Sequence, residues 1–125
     1  MSKKNLKYND VNVRIGLDEN SLPEKIYWSA TDANKESDAK ATFISFWDNK
    51  LQQTLSLQLW VKDFKVDEMK QFVHQSIVLL TDSLEKATGK DNLIRDMRDF
   101  TDYFAEKSGI RPPSGDFKMD TEKEK

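Results

Sequence analysis

The spacing of apolar residues along this chain changes once, at Val66, and that change restricts the available folds more than any other feature. Before it, Val11, Val13, Ile15 and Leu17 alternate with Asn12, Arg14 and Gly16, the two-residue period of a half-buried strand. Asp18-Glu19-Asn20-Ser21-Leu22-Pro23 is turn chemistry, and Ile26, Trp28 and Ala30 then resume the alternation, so the two segments read as a hairpin. A third strand is expected from Ala41 to Trp47. After the turn residues Asp48-Asn49-Lys50, a fourth carries Leu55, Leu57, Leu59 and Val61, starting anywhere from Leu51 to Thr54. The polar stretch from Thr31 to Lys40 reads as a mobile loop.

From Val66 the period is helical. Asp67 is a candidate cap, and Met69, Phe72, Val73, Ser76, Ile77, Leu80 and Leu84 fall on one face of a first helix that Gly89 stops. Asp91 is the candidate cap of a second helix, with Leu93, Ile94, Met97, Phe100 and Phe104 on its inner stripe and Gly109 at its end. The reading is an α+β fold, a four-stranded antiparallel sheet followed by two packed α-helices. It forms a single domain over residues 11–110, between a flexible N-terminus over 1–10 and a disordered polar tail over 111–125.

Strand alternation also exposes a surplus of apolar side chains. Parity counted along the chain puts Val11, Val13, Ile15, Leu17, Ile26, Trp28, Phe43, Trp47, Leu55, Leu57, Leu59 and Val61 on one side of the sheet. Tyr27, Ile44, Phe46 and Trp60 point to the other, among Arg14, Lys25, Thr42, Ser56 and Gln58. At roughly 150 to 250 Å² for each aromatic ring, such a cluster makes a patch of several hundred Å², around the upper end for a monomer. Tyr27, Ile44, Phe46 and Trp60 are therefore the candidate protein-binding or oligomer interface, with a homo-oligomer, dimer or tetramer, as the expected state.

Chemistry is harder to find. His74, the sole histidine, stands outside the apolar stripe with no carboxylate one turn away on either side, and reads as an ordinary exposed residue. Asp96, Asp99 and Asp102 recur at helical spacing but alternate with Arg95 and Arg98, so a solvated charged face is the reading rather than a cation site. No nucleophile elbow, phosphate-cradling glycine loop, zinc-protease helix or dinucleotide fingerprint is present, and the four glycines are too dispersed to build one. No catalytic residue, metal or cofactor is expected. A formal net charge of −2, with acids and bases interspersed, gives no reason to expect nucleic acid as a partner, and Trp28, Trp47 and Trp60 lack the interleaved basic residues of a base-stacking platform. The absence of cysteine suits a reducing compartment, and no apolar run follows the basic start Met1-Ser2-Lys3-Lys4, so a cytoplasmic protein without membrane insertion is expected.

Three segments together resemble a known family. They are Gly16-Leu17-Asp18-Glu19-Asn20 with Pro23-Glu24-Lys25-Ile26 and Trp28; Leu59-Trp60 through Lys62-Asp63 to Val66-Asp67-Glu68-Met69-Lys70-Gln71-Phe72; and Met97-Arg98-Asp99-Phe100 with Asp102-Tyr103-Phe104-Ala105-Glu106-Lys107. In that order and spacing they resemble the gliding motility protein GldC family of Bacteroidetes, over roughly Val11 to Gly109. The resemblance implies a small, non-enzymatic accessory protein of surface gliding, a process linked to type IX secretion, with partners in that machinery. The strand and helix order is also similar to that of the export chaperone SecB, which implies client holding as an alternative role.

Overall fold

The computed structural model describes residues 5–31 and 35–111. The chain divides into two compact units, Met1–Phe64, built of strands, and Lys65–Lys125, built of helices. The flexible segment expected over 1–10 lies partly, and the polar tail expected over 111–125 almost wholly, outside the described residues.

In the first unit, β1 (Val11–Leu17), β2 (Pro23–Ala30) and β3 (Lys35–Ala39) form an antiparallel sheet in that order, and β4 (Ala41–Asp48) pairs with β5 (Gln53–Trp60) in a second. The expected single four-stranded sheet is thus replaced, among the described residues, by two small sheets of three and two strands. Two physical causes account for the difference. The strand β3 lies inside the stretch that reads as a loop. It needs no apolar alternation because it is an edge, aligned on β2 from Ile26↔Ala39 to Ala30↔Lys35, with the Tyr27 hydroxyl donating to Glu36 across the pair. At Lys40 the chain bends and changes partners: Ala39 faces Ile26, whereas Ala41 faces Trp60 and the Lys40 carbonyl accepts the Val61 N–H at 2.9 Å. The break in pairing at one residue divides what parity treats as one surface.

Aspartates build the turn between β1 and β2 and the turn between β4 and β5. The Asp18 Oδ1 accepts the N–H groups of Asn20 and Leu22 at 2.8 and 3.0 Å, and the Asp48 Oδ1 accepts those of Lys50 and Leu51 at 3.0 and 2.7 Å. These bonds hold Ser21 (φ 64°) and Gln52 (φ 54°) in the left-handed region, where a side chain is normally disfavoured. Lys62 Nζ stands 3.1 Å from the second Asp18 oxygen. The backbone donors, Leu22 foremost and then Asn20, with Lys62 added, hold the Asp18 carboxyl below its ordinary value.

A pH dependence follows. Because the folded value is depressed, this stabilisation is complete above the unfolded carboxylate's value of about 3.9 and is lost as pH falls through the depressed one. Thermal melts should show wild type above Asp18→Asn near neutrality, with the gap closing in strong acid. An equal gap at both ends would assign the difference to something other than this charge.

In the second unit, α1 (Val66–Thr88) and α2 (Asn92–Lys107) pack as a hairpin. The first helix is not capped by Asp67 as expected. Its N-cap position is Lys65, in extended conformation, and the Glu68 carboxylate reaches back to accept the Lys65 N–H at 3.0 Å. Asp67 instead sits in the first turn, where negative charge favours the helix dipole. Gly89 (φ 89°) ends α1, and its N–H reaches the Glu85 carbonyl at 2.8 Å. Asp91 caps α2 as expected, its Oδ1 accepting the Ile94 N–H at 3.0 Å.

The buried residues of this unit are Thr81, Ile94, Thr101 and Ala105, and polar groups also join the helices. The His74 Nε2–H donates to the Thr101 carbonyl at 3.1 Å, and the ring stacks on Phe104 at 5.9 Å, so the histidine is half-buried rather than exposed. Arg98 does not pair along its own helix with Asp102. It crosses to Glu85 and Asp82 on α1 at 2.6 and 3.0 Å, and these carboxylates raise its pKa, Glu85 first. Asp102 pairs with Arg111 at 3.2 Å.

Candidate protein-binding face

The register of β4 on β5 decides which side chains share a surface. Thr42 faces Leu59, Ile44 faces Leu57 and Phe46 faces Leu55, so even-numbered residues of β4 stand beside odd-numbered residues of β5. On the opposite surface Ala41 faces Trp60, Phe43 faces Gln58, Ser45 faces Ser56 and Trp47 faces Thr54. The turn from Asn49 to Gln52 sets this arrangement by pairing Asp48 with Gln53, and parity counted along the chain does not carry through such a turn.

The four residues expected on one side are accordingly separated. Ile44 and Phe46 do come together, joined by Leu55 and Leu57. Trp60 projects from the other surface of the same hairpin. Tyr27 belongs to the first sheet, between Arg14 and Asp38 on its polar side, where a shallow depression is lined by Arg14, Gly16, Lys25 and Tyr27. Hydrogen bonding to Glu36 raises the Tyr27 pKa and keeps the phenol neutral.

What the structure assembles instead is an open apolar groove of ≈ 670 Å³. It is lined by Val11 and Val13 of β1, Ile44 and Phe46 of β4, and Leu55, Ser56 and Leu57 of β5. Phe46 is 66% exposed, and Leu55 and Leu57 are about half exposed at 46% and 48%. Alternation along the chain predicts the core side for the last two. The overlooked signal is the Asp48 side chain, whose two backbone acceptances define a turn long enough to invert the parity.

The opposite surface of the hairpin is mixed. Phe43, Trp47 and Trp60 surround a polar line in which Gln58 Nε2 donates to Ser56 Oγ and Ser56 Oγ lies 3.0 Å from Ser45 Oγ. The groove, by contrast, has no titratable side chain in its lining. It can take apolar side chains out of water but offers no group for proton transfer. Among the described residues there is no cluster of three or more His, Asp or Glu able to hold a metal ion. No described helix is long and apolar enough to cross a membrane.

A family model described as gliding motility-associated protein GldC-like matches residues 23–110. That span takes in β2 through α2 and every groove residue except Val11 and Val13. Neither a curated protein nor a solved structure matches the chain.

Proposed function

We propose, from the premise that this chain belongs to the GldC-like family of gliding motility-associated proteins, that it is a non-enzymatic accessory protein that binds a component of the gliding machinery through its apolar groove. The observation that supports this is the lining itself: Val11, Val13, Ile44, Phe46, Leu55 and Leu57 present hydrocarbon to solvent around a concave opening. Covering the exposed parts of Phe46, Leu55 and Leu57 removes roughly 250 Å² of apolar surface from water, about 6 kcal/mol before the costs of association. In this reading the protein works in the cytoplasm, its partner belongs to the motor or to the linked type IX secretion apparatus, and it needs no cofactor.

The test is affinity capture from gliding cells, with recovered proteins identified by mass spectrometry. Wild type should recover a gliding-machinery component, and Phe46→Glu should reduce that recovery about 30-fold, as expected for loss of a central contact. Circular dichroism should be unchanged, because Phe46 is mostly exposed. Recovery that is undiminished in Phe46→Glu would exclude the groove.

A second reading, client holding of the SecB type, draws on the absence of charge from the groove lining, which suits many extended apolar segments with modest selectivity. It requires suppression of aggregation of an unrelated unfolded protein, weakened in Phe46→Glu. No suppression at molar excess would eliminate it.

A further inference from the structure

Four strands of the first unit, β1, β3, β4 and β5, border the ends of its sheets, and they differ in how they discourage further pairing. The strand β3 reads Lys35-Glu36-Ser37-Asp38-Ala39, and β1 carries Arg14 and a register shift between Gly16 and Leu17. Charges and bulges of this kind blunt a sheet edge. The strand β5 has neither. Gln53-Thr54-Leu55-Ser56-Leu57-Gln58-Leu59-Trp60 contains no charge, no proline and no register shift, and every residue but Leu59 is exposed. Among the described residues β5 pairs with β4 alone. On β4 itself Ala41, Thr42 and Ile44 are half-buried, which makes β5 the more open side of the hairpin.

We propose that a second copy of this chain adds to β5, antiparallel and about a two-fold axis at Leu57, so that two hairpins become one four-stranded sheet. This deepens the proposed function, since it joins two grooves into one binding surface, and it rests on that reading for its purpose though not for its geometry. Backbone alternation specifies the alignment. Val61 N–H points to Lys40 on the β4 side, so the N–H groups of Thr54, Ser56, Gln58 and Trp60 point away from β4. Full overlap of residues 54–60 in two antiparallel copies sets Thr54 against Trp60 and Ser56 against Gln58, and these are the residues with outward-pointing donors and acceptors. The same alignment keeps Leu55, Leu57 and Leu59 of both copies on one surface, whereas a slip by one residue would turn one row over.

The strand itself favours a second copy as the occupant: its outward donors and acceptors meet those of an identical antiparallel strand in register, and the side chains on both surfaces of the hairpin stay available to a partner. An uncharged strand also meets its own copy without like-charge repulsion.

The test is molar mass by light scattering at tens of micromolar. Wild type should give twice the 14.6 kDa chain mass. Gln58→Pro removes one outward N–H while leaving the β4 ladder intact, and should weaken association at least about tenfold. In case that proline disturbs the hairpin, a charge pair provides a second arm. Ser56→Lys/Gln58→Lys should be monomeric, as should Ser56→Glu/Gln58→Glu, because each sets like charges opposite one another, and mixing the two should restore the double mass. Wild type at the single-chain mass, or a dimer indifferent to all these changes, would overturn the inference. A monomer that still recovers its gliding partner through Phe46 would refute the second copy while leaving the proposed function standing.

Discussion

Replacing Ile26 by alanine is expected to lower the stability of the strand unit by about 3 kcal/mol, the mid-range cost of emptying a fully buried isoleucine site. Ile26 is 1% exposed and lies at the centre of the first sheet, between Ile15 on β1 and Ala39 on β3. The methyl of Ala39 is too short to fill the void, so relaxation recovers little of the loss. All three tryptophans, Trp28, Trp47 and Trp60, lie in the same unit, which makes their fluorescence a local reporter. Thermal unfolding followed by that signal should shift down by roughly 10 °C. Ile26→Val should recover most of it, because only one methylene is lost. A shift of a degree or two in Ile26→Ala would mean that the site is not packed as described.

The helical unit has a corresponding position in Ile94. It is 4% exposed, and its N–H is the donor that Asp91 accepts, so one residue unites the cap and the buried seam of α2. Ile94→Ala leaves the cap bond in place and removes only side-chain packing, for an expected loss of about 3 kcal/mol. The proper reporter is far-UV circular dichroism, to which α1 and α2 contribute most of the signal. Asp91→Ala provides the comparison. It should cost about 1 kcal/mol, the usual value of an N-cap, so the two substitutions differ in rank as well as size. A larger loss from Asp91→Ala than from Ile94→Ala would reverse the assignment of what stabilises this helix.

Legibility in the sequence was greatest where one surface of an element is buried and the other is wet. The alternation from Val11 to Leu17 and the change of period at Val66 locate β1 and the start of α1 to the residue, Gly89 ends α1, and Asp91 and Gly109 flank α2. Legibility was least where long-range pairing overrides local preference. Nothing in Lys35-Glu36-Ser37-Asp38-Ala39 favours a strand except the free side of β2, and a partner in space leaves no trace in local composition. Of the four residues that parity puts on one surface, Ile44 and Phe46 share the groove, Trp60 and Tyr27 stand on other surfaces, and Leu55 and Leu57 join Ile44 and Phe46 instead of the opposite side. One turn explains most of that, since Asn49 to Gln52 determine how β5 is phased on β4, and a single residue more or less would exchange the two surfaces. His74 and Arg98 show the same limitation among helices. Their neighbours at helical spacing are visible in the sequence, but the partners they use, Thr101 for one and Asp82 and Glu85 for the other, are on the facing helix.

Those two residues have a mechanical consequence. A seam of hydrocarbon alone can slide by one helical turn, about 5.4 Å, with modest change in the area it hides. Here an imidazole is tied to one carbonyl and a guanidinium is clasped by two carboxylates farther along the pair, so axial displacement of either helix would break both anchors together. The hairpin of α1 and α2 is thereby indexed to a single setting.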